Sequence, residues 1–132
     1  MLKKPITYTD YNGVERTEDF DFNLSKAELM EMELGVTGGM TEMLNKIIAA
    51  KDAPSLMKTF KEMIMKSYGI KSDDGKRLIK SEELSIAFTQ TEAYSVLFME
   101  LITDDKAAAD FVNGIIPNEI QAEVAAQTAQ NN

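Results

Sequence analysis

The sequence predicts an α+β fold that is mostly α-helical, with an N-terminal β-hairpin followed by about six helices and a small second hairpin near Asp74-Gly75. Three observations predict it. Apolar and polar residues alternate in the strand that follows Asn12-Gly13, a pair that is the strongest short-range hairpin signal. Beyond Ser25 the apolar residues recur instead at helical spacing. Capping residues, glycines and prolines then divide this helical part into separate segments.

The domain organisation follows from length and composition. A chain of 132 residues with 44% apolar and 27% charged residues is expected to form one globular domain, placed at residues 1–127 with the hairpin at 5–24 and the helical part at 25–127. Residues 128–132 are expected to form a flexible polar tail. The N-terminus lacks the apolar region of a signal peptide, and no apolar run approaches the roughly 20 residues that span a membrane. We therefore expect a cytoplasmic protein with no membrane partner.

The register of the first hairpin can be predicted from burial. A three-residue loop at 11–13 with a left-handed Gly13 pairs Tyr8 with Arg16. This register gathers the apolar side chains on one face: Ile6 (opposite Glu18), Tyr8, Val14, Phe20, Phe22 and Leu24. A two-residue loop would instead split them between the two faces, because a slip of one residue turns every side chain over. The apolar face is expected to cover the helical core and to leave edge strands free to pair between subunits.

The first helix has clear signals at both ends. Ser25 and Glu28 have the spacing of a capping box, and Leu24 and Leu29 have that of a hydrophobic staple. Gly35 is a suitable C-terminal stop. The helix therefore begins directly after the hairpin.

Two helices are predicted before the second hairpin. The apolar residues of the first are Met40, Met43, Leu44, Ile47 and Ile48. Pro54 fits the first turn of the next helix, which is expected to stop at Gly69. One face of this helix carries Leu56, Met57, Phe60, Met63, Ile64, Ser67 and Tyr68.

The C-terminal half is again helical. Ser81 caps a helix that runs to about Phe88, and Thr89 with Glu92 forms a second capping box. The helix opened by this box has an apolar stripe at Tyr94, Leu97, Phe98 and Leu101. A further helix is expected from 103–105 to Asn113-Gly114, and a last one from Pro117 through Ile120 and Val124.

The residue types leave little room for catalysis. Cysteine and histidine are both absent, which removes thiol nucleophiles, imidazole bases and the usual zinc ligands, so we expect no enzyme and no cofactor. The loop at 72–75 has the glycine of a calcium loop, but Ile70 and Ser81 stand where carboxylate ligands are needed. The acidic residues near Glu28 and Asp104 occupy first turns of helices, where the helix dipole favours them. A magnesium enzyme built from carboxylates stays open only as a minor alternative.

The charge is unevenly distributed along the chain. The net charge of −8 disfavours nucleic acid as a partner, since a phosphate backbone would be repelled. Residues 46–80 hold nine basic and four acidic side chains, a balance of +5, which leaves −13 for the remainder. This segment either forms solvated helix faces or docks on the acidic parts of a neighbouring copy or partner.

Methionines are concentrated in the first half of the chain. Seven of the nine lie between positions 30 and 65: Met30, Met32, Met40, Met43, Met57, Met63 and Met65. They either fill irregular gaps in the core or form an adaptable apolar surface for a partner helix. The second alternative makes these seven the predicted partner-binding residues.

Two stretches carry a resemblance to a known family. "ITYTDYNGVERTEDFDFNLSKAELMEMEL" and "SYGIKSDDGKRLIKSEELSIAFTQTEAYSVLFMELITDDKAAADFVNGIIP" resemble tail assembly chaperones of long-tailed (siphovirus-type) phages and prophages of Gram-positive bacteria. The likeness spans roughly residues 6–117 and has no signature motif. It implies a non-enzymatic, oligomeric protein of the host cytoplasm that binds and solubilises the tape measure protein and is absent from the finished virion.

The resemblance also implies two forms of such a protein. A short form is accompanied by a longer, frameshifted form that recruits the major tail tube protein. Because this chain ends in a short polar tail at Asn132, we expect the short form. The competing hypothesis is a head or tail completion protein that is retained in the virion.

Overall fold

The structure is a computed structural model that describes residues 1–35 and 53–116. In these residues it contains four strands and five helices: β1 (Leu2–Thr9), β2 (Glu15–Phe22), α1 (Lys26–Gly35), α2 (Ala53–Ser67), β3 (Tyr68–Lys71), β4 (Leu78–Ile79), α3 (Glu82–Thr89), α4 (Glu92–Thr103) and α5 (Asp105–Ile115). This confirms an α+β fold that is mostly helical. The helices predicted at 40–48 and from Pro117 lie outside the described residues.

The first hairpin has the predicted register. Tyr8 pairs with Arg16 and Ile6 with Glu18, across a loop in which Gly13 has a φ of 80°. The loop is closed by Asp10, whose N–H donates to the Val14 carbonyl at 2.9 Å and whose carboxylate accepts from the Val14 N–H at 3.0 Å. The positive φ explains the glycine, since other residues adopt this conformation at a cost.

The two hairpins join in one antiparallel sheet with the order β1-β2-β3-β4. The predicted second hairpin is present, with Gly75 at a φ of 75°. One boundary prediction was wrong: Tyr68 begins β3 and pairs with Phe22 instead of ending α2. The physical reason is a tertiary hydrogen bond, since the carbonyl of Ser67 accepts from the N–H of Asn23 at 2.8 Å and draws the chain onto β2.

The core lies between one face of the sheet and the helices. Phe22 is fully buried at its centre, with ring centroids 5.3 Å from Phe111 and 5.8 Å from Phe88. Fifteen more apolar residues are buried with it: Ile6, Leu24, Leu29, Phe60, Met63, Ile64, Phe88, Ala93, Leu97, Leu101, Ala108, Phe111, Val112, Ile115 and Ile116. Val14 was expected on this face but is 50% exposed, and it lies next to the loop, before Glu15, the first paired residue of β2.

Most of the predicted helix caps are confirmed. The Ser25 N–H donates to Glu28 Oε1 at 2.9 Å and the Glu28 N–H to Ser25 Oγ at 3.1 Å, which completes the capping box. Ser81 caps α3 by accepting from the Leu84 N–H at 3.0 Å. Asp104 caps α5.

Two helix limits differ from the predictions. The cap of α4 is Thr91, which accepts from the Tyr94 N–H at 3.2 Å, whereas Thr89 belongs to α3 and donates to the Ile86 carbonyl. α5 continues past Gly114 to Ile115, because the Ile115 side chain is fully buried and its carbonyl accepts from Leu24.

Candidate partner-binding surface

The candidate site is the outward side of α4, which we call the outer α4 face and define as Val96, Met99 and Ile102. The opposite side of this helix is anchored in the core by Ala93, Leu97 and Leu101. Val96 is nevertheless 40% exposed and Met99 53% exposed, and Ile102 is half-buried. Apolar side chains therefore lie on the solvent side of this helix as well as on its buried side, next to the polar residues Ser95 and Glu100. This face is therefore suited to contact with another apolar surface.

The hairpin holds α4 on both sides of Val96. Glu92, Val96 and Glu100 are spaced by four residues and therefore lie along one side of the helix. Lys4 Nζ is 3.0 Å from Glu100 Oε1, and a hydrogen bond between the Tyr11 hydroxyl and Glu92 raises the pKa of Tyr11. The position of the outer α4 face is thus fixed by contacts with β1 and with the hairpin loop.

The free edge of β1 is less suited to a partner than this helix face. The backbone hydrogen bond between Asp10 and Val14 sets the alternation of the antiparallel pairs. In this alternation the N–H and C=O groups of residues 3, 5, 7 and 9 point away from β2. Pro5 stands in the middle of that edge and has no N–H to donate. Proline is a common means of preventing strand addition at an edge. The edge pairing between subunits that the sequence led us to expect is therefore disfavoured here.

The predicted methionines occupy different environments. Met30 on α1 is 60% exposed and Met57 on α2 is 41% exposed, whereas Met65 is half-buried. Met63 is only 1% exposed and fills the core, which was the alternative role considered for these residues. The side chains of Met32, Met40 and Met43 lie outside the described residues. The structure thus places Met30, Met57 and Met65 at or near the surface and Met63 inside.

Sequence analysis missed the outer α4 face because it assigned one apolar stripe to this helix. The signal was present in the run Val96-Leu97-Phe98-Met99 with Leu101-Ile102, which supplies apolar side chains to both sides of a helix. A single buried stripe accounts only for apolar residues that point inward, such as Leu97 and Leu101. Val96 and Met99 are additional to that stripe and remain exposed.

The titratable groups with shifted pKa values lie in the two hairpin turns and among partly buried aromatic residues. The Arg16 guanidinium beside Asp10 lowers the pKa of that carboxyl, and the Ser72 hydroxyl lowers the pKa of Asp74 in the second turn. Burial raises the pKa of Tyr68 and of Tyr94.

Among the described residues, no three acidic side chains converge to hold a metal ion, and no helix is long and apolar enough to cross a membrane.

These features define a domain whose candidate site is an apolar surface for another protein. Over residues 1–132 the chain matches the family model described as phage tail assembly chaperone, and it belongs to this family. No curated protein and no solved structure matches it. The resemblance seen in the sequence is thereby confirmed at the level of the family. Membership points to a non-catalytic protein with a protein partner in the tail.

Proposed function

We propose that this chaperone binds the tape measure protein in the host cytoplasm and keeps it soluble until the tail tube forms around it. The observation that carries the proposal is the outer α4 face. Val96 and Met99 are exposed and lie three positions apart, and the half-buried Ile102, which also packs against the core, follows at the same spacing. An amphipathic helix of the client can place its own apolar side on this face.

Methionines on two other helices extend the proposed binding surface. Met30 and Met57 are exposed, and Met65 is half-buried beside basic residues of α2. Unbranched methionine side chains adapt to irregular partners, which suits a client whose sequence changes along its length. Met32, Met40 and Met43 remain part of the proposed set.

The test is co-expression of the tape measure protein with this chain and with a variant of the outer α4 face. We expect the wild type to increase the soluble fraction of the client and Val96→Ser/Met99→Ser to lower that gain roughly tenfold, because two contact residues contribute about 1–2 kcal/mol in total. Val14→Ser is the matched control, since Val14 is an exposed valine of the hairpin that does not belong to the outer α4 face. An unchanged client solubility with the wild type would refute the proposal.

The same proposal predicts the fate of the protein after assembly. As the short form it should be absent from purified particles, while a longer form would contact the major tail tube protein. Mass spectrometry of purified virions tests this directly. Stoichiometric amounts in the particle would instead favour the head or tail completion protein.

A further inference from the structure

We infer that Tyr11, in the loop of the first hairpin, is a partner-binding residue that extends the outer α4 face toward the start of the helix. The inference rests on the proposed function, because it names a further contact residue for the same amphipathic helix of the client. It is carried by the exposure of the Tyr11 ring, by the closed loop that holds it and by its hydrogen bond to α4.

The ring of Tyr11 takes no part in the core. It is 78% exposed, the largest exposed fraction of any large apolar side chain within residues 1–35 and 53–116. The other three tyrosines, Tyr8, Tyr68 and Tyr94, are half-buried and pack against the core. Tyrosine rings supply large contact areas to protein cores and to interfaces. The area of the Tyr11 ring is therefore available to a partner.

The loop that carries Tyr11 is closed by hydrogen bonds to one carboxylate. Asp10 accepts from the N–H of Asn12 at 2.9 Å and from the N–H of Val14 at 3.0 Å. It also accepts from Arg16 Nε at 2.6 Å, which ties the loop to β2. Because these bonds already fix the backbone on both sides of Tyr11, little further ordering is needed when a partner binds.

The side chain of Tyr11 is attached to the helix that carries the outer α4 face. Its hydroxyl donates a hydrogen bond to the carboxylate of Glu92 in the first turn of α4. Glu92 and Val96 are one turn apart, with about 5–6 Å between their Cβ atoms. From Val96 to Ile102 the helix rises about 9 Å, whereas from Glu92 to Ile102 it rises about 15 Å, or nearly three turns. With Tyr11 included, the candidate surface therefore gains about one turn in length.

The length and chemistry of this surface suit an amphipathic helix of about three turns. Such a helix presents apolar anchors at positions i, i+3 or i+4, i+7 and i+11, over about 16 Å. A tyrosine ring can contact an apolar anchor with its face while its hydroxyl remains bonded to Glu92. Tyrosine is also one of the residue types that most often dominate binding energy at interfaces.

The alternative role of Tyr11 is to hold the hairpin loop on α4. Tyr11→Phe separates the two roles, because it keeps the ring and removes the hydroxyl that donates to Glu92. If Tyr11 only holds the loop, Tyr11→Phe and Tyr11→Ala should have the same effect. If it contacts the partner, the ring matters more than the hydroxyl.

The experiment is co-expression of the full chain with the tape measure protein, with the amount of soluble client as the readout. Tyr11→Ala should lower the gain in soluble client at least about fivefold, and Tyr11→Phe by less than about twofold. Val14→Ala is the matched control, since it also removes apolar area from an exposed side chain beside the loop, and it should act like the wild type. Thermal unfolding of the three variants should match that of the wild type. Chemical labelling of tyrosines should modify Tyr11 in the free chain and spare it in the copurified complex.

The outcomes separate this inference from the proposed function. A wild type that leaves the client insoluble would refute the proposed function and, with it, the inference. A wild type that solubilises the client, a loss in Val96→Ser/Met99→Ser and full activity of Tyr11→Ala would overturn the inference alone. Equal losses for Tyr11→Ala and Tyr11→Phe would assign Tyr11 the structural role instead. A change in the mass of the chaperone alone, measured by sedimentation of Tyr11→Ala, would place Tyr11 in a contact between copies and would also overturn the inference.

Discussion

Lys80 Nζ lies 2.6 Å from Glu28 Oε2 and 2.5 Å from the carbonyl oxygen of Asn23, and so connects the end of β4 to the first turn of α1. The same carboxylate accepts from the Ser25 N–H and closes the capping box. Glu28 therefore supports both the start of α1 and its attachment to the second hairpin. Leu29 is the buried side chain beside it, while Met30 on the next position faces solvent.

The first prediction concerns this ion pair. Glu28→Gln keeps an oxygen for the Ser25 N–H but removes the charge, and Lys80→Met removes the ammonium group. Each should lower the free energy of unfolding by about 0.5–1 kcal/mol, the range of a partly exposed pair. In urea unfolding, the double variant should lose less than the sum of the two single variants. Strictly additive losses would show that the two groups do not interact.

The second prediction is the pH dependence of the same pair. Partial burial acts to raise the pKa of Glu28, but the hydrogen bonds from Lys80 and from Ser25 outweigh it and hold the pKa below its ordinary value of 4.5. Because the folded-state pKa is the lower one, the stabilisation is complete above pH 4.5 and is lost as the pH falls through the folded-state pKa. The difference in unfolding free energy between wild type and Glu28→Gln should therefore shrink below pH 4.5. A difference that stays constant down to pH 3 would contradict this.

The third prediction distinguishes the observed cap of α4 from the one expected from the sequence. Thr91→Ala should lower the free energy of unfolding by about 1 kcal/mol, because it leaves the Tyr94 N–H without its acceptor. Thr89→Ala removes only an exposed hydroxyl that donates to the Ile86 carbonyl, so a change of less than about 0.5 kcal/mol is expected. Thermal unfolding of the two variants side by side measures both effects. A larger loss for Thr89→Ala than for Thr91→Ala would favour the cap expected from the sequence.

The cap at Thr91 illustrates where sequence analysis is reliable and where it is not. The hairpin register and the capping box at Ser25 depend on residues close in the chain, and both were predicted correctly. Thr89 and Thr91 differ by two positions and both precede Glu92, so local rules alone do not separate them. The buried Phe88 and Ala93 on either side decide the position, because they fix how α3 and α4 meet over the core.

Long-range pairing was the main feature that the sequence did not reveal. Nothing local indicates that Tyr68 pairs with Phe22 or that the second hairpin extends the first into one sheet. The outer α4 face was missed for a related reason. An apolar residue such as Val96 or Met99 looks like a core residue until the neighbouring elements are placed and found not to cover it.

The fourth prediction tests the centre of the core. Phe22 is fully buried and its ring lies within 5.8 Å of the centroids of Phe88, Tyr68 and Phe111. Phe22→Leu should cost about 1–2 kcal/mol in the free energy of unfolding, and Phe22→Ala about 3–5 kcal/mol. Val14→Ala at the exposed tip is the control and should change it by less than about 0.5 kcal/mol. A mild effect of Phe22→Ala in calorimetry would mean that the ring is not central to the core.

The fifth prediction links the second hairpin back to α1. A Cβ atom on Gly69 would lie 2.7 Å from Leu78 Cγ and 3.0 Å from the Ile79 carbonyl oxygen, so Gly69→Ala forces β4 away from β3. We expect a loss of about 1–3 kcal/mol, as for overpacking in a core, and partial relief by Leu78→Ala. Because Lys80 follows β4 directly, its ammonium group should also move away from Glu28. Glu28→Gln should then cost less in the Gly69→Ala background than in the wild type, and an undiminished cost in urea unfolding would show that the ion pair does not depend on the position of β4.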